Sequence, residues 1–126
     1  MNLFWDQCRP LLEKATRRTH GRYEPEDLYR EIMSGDQLLW VAWNQERNSI
    51  DAAMTSQFAT YPRFKMHRIL FCGGTHMKEW LADFREAVEE LARKAGCKGV
   101  ESAGREGWGR IWPGAQYEGA MFFKEL

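Results

Sequence analysis

Between Met77 and Ala95 apolar residues return at the helical period: Met77, Trp80, Leu81, Phe84, Ala87, Val88, Leu91, Ala92 and Ala95 form one continuous stripe. That pattern predicts the longest helix of the chain, with one face buried. Thr75 suits its N-cap, and Gly96 suits the left-handed residue at which helices commonly end. Arg85 with Glu89, Glu89 with Arg93 and Glu90 with Lys94 are spaced four apart on the other face, which therefore reads as solvated. A short apolar strand, Ile69 to Cys72, feeds this helix through Gly73-Gly74. Bare backbone N–H groups at a helix N-terminus suit an anion such as a phosphate; a plain tight turn is the other reading of a lone Gly-Gly, and the commoner one.

Upstream, residues 4 to 20 carry Phe4, Trp5, Cys8, Leu11, Leu12 and Ala15 on one side of a helix, with Pro10 either starting or kinking it and His20-Gly21 as the stop. A second helix opens at Glu24-Pro25, buries Leu28, Ile32 and Met33, and ends at Ser34-Gly35. The period then changes from 3.6 to 2. Leu38 to Trp43 and Ile50 to Thr60 read as two strands of an antiparallel hairpin around a polar loop, and Phe64 to Cys72 as the third strand after Pro62. Trp40 and Trp43, three apart on a strand, point to opposite faces. After Gly96 come a short strand, Val100 to Ala103, a compact glycine-rich segment from Gly104 to Gly114, and a closing strand from Tyr117 to Lys124. A long helix crossing between strands of one sheet gives parallel neighbours, so the expected fold is a single α/β domain over residues 1–126. Its sheet is mixed, mainly antiparallel and of about five strands, with flanking helices.

Composition narrows the partners. Lys plus Arg and Asp plus Glu are both 18 among 126 residues, so the formal charge is zero and no basic surplus argues for nucleic acid. No apolar run approaches membrane-spanning length, and the N-terminus lacks a basic region followed by an apolar one, which predicts a soluble, cytoplasmic protein. Three scattered cysteines, Cys8, Cys72 and Cys97, suit buried thiols in a reducing compartment rather than a disulfide framework. His20, His67 and His76 are equally scattered, and no metal site is expected.

The order helix, helix, three strands, helix, strand, turn, strand resembles the GNAT superfamily of acyl-CoA-dependent N-acetyltransferases. Tyr61-Pro62-Arg63, Arg68 to Gly74, Gly104-Arg105-Glu106-Gly107-Trp108 and Lys124-Glu125-Leu126 more narrowly resemble small acetyltransferase-like proteins of tailed bacteriophages. The GNAT resemblance implies acetyl-CoA as cofactor, its pyrophosphate on the backbone at the strand–helix junction, here Phe71, Cys72, Gly73, Gly74, Thr75 and His76. Two departures stand out. The family's Gln/Arg-x-x-Gly-x-Gly/Ala loop is replaced by Cys72-Gly73-Gly74-Thr75-His76, and the stretch that carries the family's general-acid tyrosine, Gly107 to Gly114, holds Trp108 and Trp112 but no tyrosine.

Cys72 with His76 has the composition of a nucleophile pair, though a core thiol beside a surface histidine fits better. Lys78 in the first helical turn suits a phosphate or plain solvent. Arg105, Trp108, Arg110 and Trp112 have the composition of a protein-interface anchor, with Glu101 beside them. The departures favour a catalytically degenerate scaffold without a cofactor, acting as a small virion structural, assembly or protein-interaction component. Its expected partners are other phage structural proteins or a host protein, in the host cytoplasm or incorporated into the virion, with no nucleic acid and no membrane; a homo-oligomer stays open. The alternative is an active acetyl-CoA-dependent N-acetyltransferase.

Overall fold

The computed structural model describes residues 2–102, 112–116 and 124–125. Helix α1 (Asn2–Thr16) runs unbroken through Pro10 and continues as a turn of 3-10 helix over Arg17–Thr19 before His20 ends it in the left-handed region. Pro10 breaks nothing because it lies on the exposed side, where the carbonyl deprived of its partner faces water. Helix α2 (Pro25–Ser34) starts with a capping box, in which Glu24 and Asp27 each accept the other's backbone N–H, and stops at Gly35 with φ 88°.

Four strands follow the predicted change of period: β1 (Leu38–Asn44), β2 (Ser49–Thr60), β3 (Lys65–Gly74) and, after helix α3 (Met77–Lys94), β4 (Gly99–Ser102). They form one sheet in the order β1-β2-β3-β4. The first three pair antiparallel, while β3 and β4 run parallel across the α3 crossover. The sheet thus has four strands among the described residues instead of about five. The fifth expected strand, Tyr117 to Lys124, falls almost wholly on 117–123, outside the described residues.

Each face of the sheet has its own core. On one side Trp5, Cys8, Leu12 and Ala15 of α1 and Leu28 of α2 pack on Ala53 and Phe71. On the other, Trp80, Phe84 and Val88 of α3 pack on Ala52, Met54 and Ile69. The spacing of the buried α3 residues, Trp80, Phe84, Val88 and Ala92, is one row of the predicted stripe. Trp40 joins the α3 side, whereas Trp43, on the opposite face, is 51% exposed.

Two irregularities decide what the sheet presents. Ala42 pairs with Ala52 and Trp43 with Ile50, so Asp51 is an extra residue in β2. Thr55 pairs with Phe71 and Ser56 with Ile69, so Leu70 is an extra residue in β3. Bulges add local twist and re-aim side chains.

Candidate functional site

The two bulges flank the junction between β3 and α3. The parallel ladder joins Met66–Ile69 of β3 to Gly99–Ser102 of β4. Beyond its last described pair β3 continues through the Leu70 bulge to Gly74, still bonded to β2 on its other side. Only Thr75 and His76 separate the strand from the first residue of α3.

The two glycines serve close approach of the chain to itself. A Cβ on Gly73 would lie 1.9 Å from the carbonyl oxygen of Leu11, so α1 presses directly on this residue. A Cβ on Gly74, at φ 156°, would lie 2.4 Å from the carbonyl oxygen of Asp51 and from the Cβ of Ala52. Thr75 donates its N–H to that same Asp51 carbonyl at 2.8 Å. Strand pairing therefore runs past the position expected for the N-cap. The cap is His76 instead of Thr75, left-handed at φ 58° and without a side-chain capping bond. The Glu79 N–H turns back to the His76 carbonyl at 2.9 Å. The N–H groups of Met77 and Lys78 are the first-turn donors left without an intrahelical partner.

Around this helix start stands a cluster of charges. Arg47, from the β1–β2 turn, reaches Asp51 at 3.0 Å and Glu79 at 2.7 Å. Asn44 donates to both carboxylates, at 3.2 Å and 3.4 Å. His76 Nδ1 lies 3.0 Å from the Thr75 hydroxyl and 3.6 Å from Asp51 Oδ2. Hydrogen bonds from Arg47, then from Asn44, hold the Asp51 carboxyl below its ordinary range, and both carboxylates push the Arg47 guanidinium up. None of Arg47, Asp51 or Glu79 stands out in the sequence, because only the Asp51 bulge and the fold of α3 over β2 bring them together.

The expected site residues are thereby placed. Phe71 is buried in the α1-side core and Gly73 is buried, whereas Gly74, Thr75 and His76 are exposed. Cys72 packs against the α3-side core, and burial pushes its thiol up to about 11. His76 engages Thr75 and Asp51, so the structure gives no activated Cys72–His76 pair. Of the glycine-rich segment, Arg105, Trp108 and Arg110 lie outside the described residues. Trp112 is half-buried, tilted edge-on to Phe84 and donating its indole N–H to Glu89 at 2.8 Å. Among the described residues no group of His, Cys, Asp and Glu could hold a metal ion, and no helix is long and apolar enough to cross a membrane.

No protein-family model matches the chain, and no curated protein matches it. Solved structures match it in shape. It is similar to a probable acetyltransferase with a TM-score of 0.72 at 10% identity, over 97% of this chain and 89% of that one. Glucosamine-6-phosphate N-acetyltransferase from Arabidopsis thaliana gives 0.62 at 16% identity, over 82% and 77%. A GNAT family acetyltransferase of Staphylococcus aureus gives 0.57 at 19% identity, over 91% and 87%. Identities this low speak to architecture, and nothing in the comparisons bears on the narrower likeness to phage proteins. The helix pair, the mixed sheet and the α3 crossover make up the fold of the GNAT acetyltransferases.

Proposed function

We propose that the chain binds an acyl-CoA along the edge of β3 and transfers the acyl group to an amine, the reaction its resemblance to the N-acetyltransferases implies. One observation carries this reading. β3 bulges at Leu70 and delivers the chain to a helix start within two residues. An extended pantetheine arm can pair with strand groups there, while the Met77 and Lys78 N–H groups and the Lys78 ammonium face the pyrophosphate. Of the expected cofactor residues, the backbone of Cys72 and the exposed Gly74, Thr75 and His76 remain in reach. Phe71 and Gly73 contribute support from beneath.

A second reading keeps the scaffold and drops the chemistry: a degenerate acetyltransferase-like protein with a structural role, as in a phage particle. The observation favouring it is the pair of carboxylates, Asp51 and Glu79, beside the helix start. They repel the anion that the fold would place there, and Arg47 only partly offsets them.

Thermal denaturation with acetyl-CoA separates the two. A ligand at a hundred times its Kd stabilises by about 2.7 kcal/mol, roughly 10 °C for a chain of this size. A rise in Tm with acetyl-CoA and with CoA, accompanied by thiol release when amines are added, is the expected result. No shift at millimolar coenzyme would leave the structural reading standing.

A further inference from the structure

The far end of the sheet, around the β2–β3 turn, carries features the acyl-transfer reading does not use. Phe58, Tyr61 and Phe64 are each about two-fifths exposed, at 39%, 39% and 40%. Three large rings held at the surface within seven residues are more than a turn requires. Tyr61 and Phe64 meet edge to face with centroids 5.7 Å apart, and Phe58 lies over the buried His67 ring at 4.9 Å, so the rings are fixed from below. Cations are interleaved with them. The Lys98 ammonium sits 4.5 Å from the Phe64 centroid and that of Lys65 5.2 Å from the Phe58 centroid. Arg63 stands in the turn itself, and none of Arg63, Lys65 and Lys98 has an ion pair among the described residues. Glu101, bonded by the Tyr61 hydroxyl, is already engaged by Arg68 at 3.6 Å. Among the described residues, the cations around these rings therefore outnumber the acid that pairs with them.

We propose that this surface binds single-stranded nucleic acid, with bases stacking on Phe64 and Phe58 and phosphates meeting Arg63, Lys65 and Lys98. Ring faces that hold an ammonium are electron-rich surfaces within reach of a cation or a base. A base that displaces Lys98 from Phe64 frees that ammonium for the adjoining phosphate, so one movement supplies both contacts. An acidic peptide would use the cations and leave the rings without a role, whereas nucleobases use both. The expectation that no nucleic acid binds is drawn from net charge, which averages over the chain, whereas binding here rests on local charge.

The test is fluorescence anisotropy of a fluorescein-labelled oligothymidylate titrated with the full chain over a salt series. Binding that weakens with salt is expected, with a slope of log Kobs against log salt of about −2, near −0.7 for each of three phosphates. Lys65→Gln with Lys98→Gln flattens that slope by roughly 1.4. Phe64→Ala weakens binding at least about fivefold, and Phe64→Tyr restores it. Circular dichroism of each variant confirms the fold, and the lysine pair and Phe64→Tyr keep the test decisive if Phe64→Ala melts early. No anisotropy change at low salt, an unaltered affinity in folded Phe64→Ala, or competition by oligoglutamate equal to that by unlabelled oligothymidylate would overturn the proposal, the last in favour of an acidic peptide. None of these outcomes depends on coenzyme binding.

Discussion

His67 is wholly buried, yet every polar atom of its ring has a partner. Its Nδ1 faces the Val88 carbonyl at 3.0 Å, and a carbonyl only accepts, so the proton sits on Nδ1. Nε2 then accepts from the Ser56 hydroxyl at 2.8 Å, and that oxygen accepts the Trp40 indole N–H at 2.8 Å. The chain of bonds ties β1, β2, β3 and α3 together, and a neutral imidazole satisfies every donor and acceptor in it. Burial lowers the His67 pKa from its ordinary 6.5, with the Val88 bond opposing the shift. The sign follows: the stability contributed by neutral His67 is complete above about pH 6.5, declines below it as the unfolded chain takes up a proton, and is lost once the pH falls through the lowered folded value. Ser56→Ala strands both the indole N–H and Nε2, so denaturant titration at pH 7.5 should show a loss of about 1–3 kcal/mol. An unchanged midpoint would mean the network does not contribute. A scattered histidine gives no such signal in sequence, since its partners are 11, 21 and 27 positions away.

At the level of elements the chain was largely legible, because period and punctuation are local. The α3 stripe, the α2 start at Glu24-Pro25 and its stop at Gly35, and the alternation through β1 to β3 all follow from residues within one or two turns. What sequence could not show was contingent on distant chain. Gly73-Gly74 reads as a tight turn or as bare backbone for an anion, and the fold adds that the Leu11 carbonyl and the β2 backbone stand where a Cβ on either glycine would be. The N-cap moved from Thr75 to His76 because Asp51 captured the Thr75 N–H. The buried face of α3 is where packing should dominate. Phe84 meets Trp40, Trp80 and Trp112 edge-on, with centroids 6.0, 6.1 and 6.3 Å away. Phe84→Ala removes three aromatic contacts and opens a cavity, and should cost about 3–5 kcal/mol of unfolding free energy. A loss below about 1 kcal/mol, the range of an ordinary surface change, would show that α3 is not anchored through this ring.

For the whole molecule the unresolved balance is electrostatic, and it sits at the start of α3. Glu79 in the first turn favours the helix dipole, while its carboxylate, 56% exposed and bonded to Arg47, stands near the position where a coenzyme pyrophosphate would bind. Those two roles have opposite signs in one substitution. Glu79→Gln removes a first-turn charge and should lower stability by about 0.3–1 kcal/mol. The same change frees Arg47 from one of its two carboxylates and takes a negative charge from beside the anion. Binding of CoA should then tighten about two- to fivefold, the effect expected of one half-exposed charge in water. Calorimetric titration of wild type and Glu79→Gln with CoA measures the second quantity, and thermal denaturation without ligand measures the first. Tighter binding together with a lower Tm would show that the carboxylates restrain a working coenzyme site. Weaker binding would mean that the Arg47–Glu79 pair shapes the site as built, and the absence of binding in both proteins, with the stability loss present, would assign the cluster to holding β2 and α3 together.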